Sequence, residues 1–245
     1  AKKRINNRMK GEIGLDDQVN FSKSSWKPIN SNKKIFLRSK NKKMLIAAHA
    51  FYDGPHAMGP DSILFNNFLD WMEFLAKISK QTNYDWYIKG HPNFSKNEVQ
   101  ILNKFIKKNN NIKLIPQYTS HYQIIKEGVD CILTVRGTIA WEYALHKIPV
   151  INASILNPHH NYDFCMHAKN IQEYKHMIFN FDKMKINFNK KEIYEFYFMH
   201  NLCGFSKWLL DDYKKRSNYK ILSKFYNITS VGRMAKLVPK RNNII

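Results

Sequence analysis

Cysteine is scarce in this chain. Its 245 residues include three, Cys131, Cys165 and Cys203. Their odd number and wide spacing exclude a disulfide framework, and no pair has metal-ligand spacing. A reducing cytoplasm is the expected compartment. Long apolar runs are also absent, since no stretch approaches the roughly 18 residues of a membrane-spanning helix. The basic opening, Ala1-Lys2-Lys3-Arg4-Ile5-Asn6-Asn7-Arg8, leads into no apolar run and does not read as a signal peptide. It also lacks an initiator Met, which predicts a fragment or a trimmed form of a longer protein. There are no internal repeats.

Three catalytic signatures are missing too. There is no Gly-x-Gly-x-x-Gly fingerprint, no Gly-x-x-x-x-Gly-Lys-Ser/Thr loop and no Gly-x-Ser-x-Gly elbow, which disfavours NAD enzymes, P-loop ATPases and serine hydrolases. Acidic residues are few: 19 Asp and Glu stand against 40 Lys and Arg, a net charge of +21. A surface this basic attracts polyanions such as nucleic acid, anionic lipid or acidic polysaccharide. The Lys, Asn and Ile usage of an AT-rich genome gives the same excess without selection for binding. The charges are scattered in small clusters, such as Lys33-Lys34 and Lys214-Lys215-Arg216, and no nucleic-acid-binding motif accompanies them.

What is present is an alternating pattern. Hydrophobic residues make up 44% and aromatics 14%, enough for a sizeable core. Residues 1–43 are polar and basic and read as a linker or the remnant of a preceding domain. A compact fold is expected from Met44. Met44–Ala48, Asp85–Lys89, Ile112–Ile115, Asp130–Thr134 and Ile148–Ile151 read as buried strands. Helices are expected between them: one capped by Asp61 or Ser62 and running to about Lys80, one capped by Ser95, a short one over Ser120–Glu127, and one from Thr138 to His146. Further helical segments are expected near 169–178, 190–201 and 205–226. The regular alternation predicts an α/β fold, a Rossmann-like parallel sheet flanked by helices, over residues 44–204. Residues 205–245 are expected to form a C-terminal helical extension.

In such a sheet, ligands bind outside the carboxyl ends of the strands. The unusual residues of the chain fall there. Lys89 and His91 can both donate to phosphate oxygens, although a strand-ending turn with an incidental histidine would look the same. Arg136-Gly137-Thr138 opens a helix, where glycine admits a phosphate to the backbone and the Thr hydroxyl adds a donor. Glu142, one turn inside, can accept from ribose hydroxyls. Thr119-Ser120 offers another phosphate contact or an ordinary cap. His49, Asp53 and His56 can supply a general base or simply bond within their loop. His159-His160 has no third ligand at convincing spacing, so no metal site is expected.

The ordered set Trp86-Tyr87-Ile88-Lys89-Gly90-His91-Pro92, Asp130 to Thr134 and Gly137-Thr138-Ile139-Ala140-Trp141-Glu142 through Ile148-Pro149-Val150-Ile151 resembles the C-terminal domain of capsule polysaccharide biosynthesis proteins. Ala50-Phe51-Tyr52-Asp53-Gly54-Pro55-His56, Leu64-Phe65 and Trp71 are similar to that family as well. The resemblance spans about residues 44–165. It implies one half of a GT-B glycosyltransferase, with two Rossmann-like domains facing a cleft, no essential metal and no cofactor. It places Lys89 and His91 at the donor phosphate, Gly137 and Thr138 beside them, and Glu142 near the ribose. Kdo transferases and bacterial sialyltransferases, similar in architecture and also carrying a His-Pro motif, use CMP-sugars, and teichoic-acid polymerases look alike. A GT-B enzyme needs an N-terminal acceptor domain, which 43 residues cannot supply.

The expected reaction is transfer of a sugar from a nucleotide-activated donor to a capsular or surface glycan, a polysaccharide or glycolipid. Lys89, His91, Thr119, Ser120, Arg136, Gly137, Thr138 and Glu142 would hold the donor. Asp53, His49 and His91 would act in catalysis. Peripheral contact with an anionic membrane fits the basic surface. A CDP-alcohol phosphotransferase, a basic nucleic-acid-binding protein and a membrane scaffold are the rival readings.

Overall fold

The structure is a computed structural model that describes residues 1–12, 25–27, 33–52 and 62–203. Six parallel strands form one sheet: β1 (Lys43–Ala47), β2 (Asp85–Lys89), β3 (Ile112–Ile115), β4 (Cys131–Thr134), β5 (Val150–Asn152) and β6 (Met166–His167). Their spatial order is β3-β2-β1-β4-β5-β6, the doubly wound Rossmann-like arrangement. The expected α/β fold is present. The short β6, which no apolar run announces, extends it.

Strand alternation divides the core in two. Met44, Ile46, Trp86, Ile88, Cys131, Leu133 and Ile151 face one way, while Leu45, Tyr87, Ile132 and Val150 face the other. Successive side chains of a strand point to opposite faces, so a strand buried on both sides must be apolar at every position. The first face is covered by α2 (Phe68–Ser79), α3 (Lys96–Lys108) and α6 (Ile171–Asn180). Trp71 of α2 donates its indole N–H to the Tyr174 hydroxyl of α6 at 2.9 Å, inside this core. The second face is covered by α1 (Lys2–Met9), α4 (His121–Lys126), α5 (Ile139–Ala144) and α7 (Lys190–Tyr197). A π-helical turn, Phe198–Cys203, continues α7.

Two elements differ from expectation. The helix expected from Asp61 or Ser62 begins at Phe68, because Asn67 is its cap and accepts from the Asp70 amide at 2.8 Å. The apolar residues before it go elsewhere: Ile63 bridges Ser154 in antiparallel fashion, and the Leu64 amide donates to the Ala153 carbonyl. Residues 1–43, expected as a linker or remnant, send Ile5, Met9, Trp26 and Phe36 into the second core. The helix expected at 205–226 lies outside the described residues.

Candidate functional site

The order of the sheet reverses between β1 and β4, so connections leave these strands toward opposite edges. The crevice at their carboxyl ends is where ligands of this architecture bind. β2, beside β1, ends in Lys89, which pairs in register with Ala47 on one side and Ile115 on the other. Lys89 is 4% exposed. Burial pushes its pKa down to about 8, and the carboxylate of Glu142 on α5 opposes the fall. A lysine is almost never buried without a partner.

His91 follows across Gly90. A side chain at Gly90 would press on the Phe94 ring, 3.0 Å from its nearest atom. The Asn93 amide donates to Nδ1 of His91 at 3.2 Å, which leaves the ring proton on Nε2. Burial, with His49 and Lys89 nearby, lowers its pKa to about 4. At neutral pH it is therefore an uncharged donor. The Gln117 amide donates to the carbonyls of His91 and Pro92, at 2.7 and 3.2 Å, tying this turn to the end of β3. His49, at the end of β1, stacks on Phe68 with ring centroids 4.4 Å apart and lies 6.3 Å from the His91 ring. Its Nδ1 is 3.4 Å from the Ala50 carbonyl oxygen. Asp53 and His56, the other candidates in this loop, lie outside the described residues.

Arg8 completes the cluster. From α1 it donates through Nε to Oε1 of Glu142 at 2.7 Å, and its Nη2 lies 2.6 Å from the same oxygen. Nη2 also donates to the Thr138 hydroxyl at 3.2 Å, and the guanidinium sits over the Trp141 ring. His121, at the start of α4, has Nδ1 2.7 Å from the Tyr143 hydroxyl. Burial, then the charges of Lys89 and Arg8, holds its pKa well below the usual range. Among the described residues, the buried cations Lys89 and Arg8 thus lie against the buried carboxylate of Glu142, with neutral imidazoles beside them.

The structure brings Lys89, His91, His49, Thr138 and Glu142 to this crevice. Gly137 precedes α5 at φ 134°, a backbone conformation that favours glycine. Ser120 accepts the Tyr122 amide at 3.2 Å as the cap of α4. The Thr119 amide closes a turn onto the Pro116 carbonyl. Arg136 is half-buried, and its charge is felt by His159 and His200, toward the β5 edge. Arg8 and His121 escaped the sequence reading. The signal for Arg8 was the spacing of Ile5 and Met9, one turn apart and apolar within a basic stretch, which marks a buried helix face.

No family model matches the chain, and no curated protein matches it. Among solved structures, the chain is similar to the wall teichoic acid polymerase TagF. Identity is 15% over 78% of this chain and 46% of that one, with a TM-score of 0.42. A histidine-to-alanine form of TagF matches at 14% identity over 73% of this chain and 44% of that one, with a TM-score of 0.39. The chain therefore spans just under half the length of that polymerase.

A second cluster lies at the edge of the sheet. His159, Cys165 and His167 bring one ligand atom each within 4.8 Å of one another. The sequence reading paired His159 with His160 and missed Cys165 and His167, because His159 and the Cys165/His167 pair meet only through the fold of the β5–β6 connection. Among the described residues, no helix is long and apolar enough to cross a membrane.

Proposed function

We propose that this chain is the donor-binding half of a GT-B-type glycosyltransferase, moving a sugar from a nucleotide-activated donor to a capsular or surface glycan. The observation that carries this reading is the excess of buried positive charge at the carboxyl ends of the central strands. Lys89 and Arg8 both lie against the carboxylate of Glu142, and a di- or monophosphate ester would add negative charge beside Lys89. A buried cation is stabilised by a bound anion, and the gain is large where water is excluded.

Lys89 and the Nε2 proton of His91 hold the donor phosphate, and Gly137 lets the phosphate approach the backbone ahead of Thr138. Glu142, oriented by Arg8, receives the ribose hydroxyls, and Thr119, Ser120 and Arg136 flank the nucleotide. The acceptor hydroxyl attacks the anomeric carbon while the bond from that carbon to the phosphate oxygen breaks. The electron pair leaves on the phosphate, where Lys89 and His91 stabilise it. The hydroxyl proton passes to a base, His49 or Asp53. This grip needs no metal ion at the phosphates, and a CMP-sugar is the favoured donor. The basic surface would hold the enzyme at an anionic membrane.

The test is thermal stabilisation by CMP, CDP, UDP and GDP. Stabilisation by one cytidine nucleotide, lost in Lys89→Ala and in His91→Ala, is the expected result. Stabilisation that survives both substitutions, or none with any nucleotide, would overturn the assignment of the site.

A further inference from the structure

The connection from β5 to β6 folds back on the sheet edge and gathers three nitrogen and sulfur ligands at one point. The geometry points to a transition-metal site of the zinc class built by His159, Cys165 and His167. The cluster lies past the carboxyl end of β5, within reach of the Arg136 charge, and its existence does not depend on the glycosyltransferase reading.

Sγ of Cys165 lies 3.3 Å from Nε2 of His167, and all three ligand atoms fall within 4.8 Å of each other. A tetrahedral zinc ion with Zn–N near 2.0 Å and Zn–S near 2.3 Å sets two nitrogens and a sulfur roughly 3.3–3.5 Å apart. The three side chains are thus close to ligating distance already. The His159 and His167 ring centroids are 5.2 Å apart. His159 is 2% exposed, yet among the described residues its Nε2 has no hydrogen-bond partner. A buried nitrogen without a partner costs about 1–3 kcal/mol, and a metal ion removes that cost.

The donor set decides the class of ion. Two imidazoles and a thiolate suit zinc or its neighbours and do not suit magnesium or calcium, which take oxygen. Burial pushes the Cys165 thiol pKa up, so binding the ion would release its proton, and the resulting thiolate would offset part of the ion's charge near Arg136. The Phe164 and Phe196 rings pack against His159 at 5.8 and 5.5 Å, an apolar shell of the kind that shields a metal site from water. A cavity of about 330 Å³, lined in part by Asp163, Cys165, Met166 and Lys185, lies beside Cys165. Three protein ligands leave a fourth position for water. Bound metal would pin the β5–β6 connection to the sheet.

The test uses the whole chain, stripped with a chelator and titrated with Co²⁺ and with Zn²⁺. The expected result is one ion per chain, a thiolate-to-cobalt charge-transfer band in the near ultraviolet, and a rise in Tm with zinc. Cys165→Ser loses the band and weakens zinc binding at least about 100-fold, whereas Cys131→Ala keeps both. His167→Ala, at a half-buried position, gives the same loss and decides the matter if Cys165→Ser does not fold. A cobalt band that survives Cys165→Ser, or zinc affinity unchanged in His167→Ala, would overturn the site, as would a wild-type chain that binds no ion.

Discussion

Arg8 donates to Glu142 across 134 residues of chain, its Nε 2.7 Å from the carboxylate oxygen. The pair joins the N-terminal helix to the fifth helix on the second face of the sheet. Both side chains are almost wholly removed from water, at 9% and 4% exposure. A buried pair of this kind adds little over an apolar pair of the same shape, but losing one partner is costly because the other charge is stranded.

Arg8→Ala should therefore lower unfolding free energy by about 3 kcal/mol. Arg8→Met combined with Glu142→Gln should recover most of that loss. Urea denaturation of Arg8→Met, of Glu142→Gln and of the double variant measures the coupling. Additive losses would show that the pair is not the link between the two helices.

Lys89→Met should stabilise the protein at pH 7 by about 3 kcal/mol. Below about pH 8 Lys89 is charged in both states, and the cost of burying that charge is fully present. Between about 8 and the ordinary lysine value of 10.5, the unfolded chain binds more protons than the folded one. Wild-type stability therefore climbs with pH across this window, and the variant should lose that slope. The same substitution should abolish nucleotide stabilisation, so a gain in Tm accompanies a loss of binding.

Acid should unfold the protein early. His91 and His167 have pKa values near 4 and His159 near 3, each lowered first by burial. His121 is depressed in the same direction. As pH falls from 6.5 toward 4, the unfolded chain takes up protons that the folded chain refuses, so stability drops. Denaturation midpoints measured in metal-free buffer from pH 7 to pH 4.5 should fall steeply. For the same reason, nucleotide binding should show no step near pH 6.5 from His91.

Tyr174→Phe should cost about 1–2 kcal/mol. The ring volume is kept, but the Trp71 indole N–H loses its acceptor inside the core. Thermal unfolding of the variant reads this directly. A loss near zero would mean that the indole finds another acceptor.

The central strands were legible because parallel strands covered on both faces carry apolar residues at every position. Met44–Ile46 and Cys131–Leu133 are such runs. Met166–His167 is not, since two residues give no period, and only its pairing with Ile151 and Asn152 makes it a strand. The start of the second helix was misread because Ile63, Leu64 and Phe65 share an apolar stripe with the helix they precede. The capping pair Asn67 and Asp70 was the better signal. Lys89 and His91 were legible as strand-end residues. Arg8 and His121 were not, because their meeting with Glu142 and Tyr143 depends on long-range packing that no local pattern encodes.

One carboxylate also links two loops. Glu98 accepts the Ser95 amide, closing the capping box of the third helix, and accepts the Phe51 amide from beyond β1. The Phe51 amide donates to Oε1 and the Ser95 amide to Oε2 of the same carboxylate, so fraying of the first turn of that helix would release the chain beside His49. In hydrogen exchange, Phe51 and Ser95 should therefore open together, as one cooperative unit.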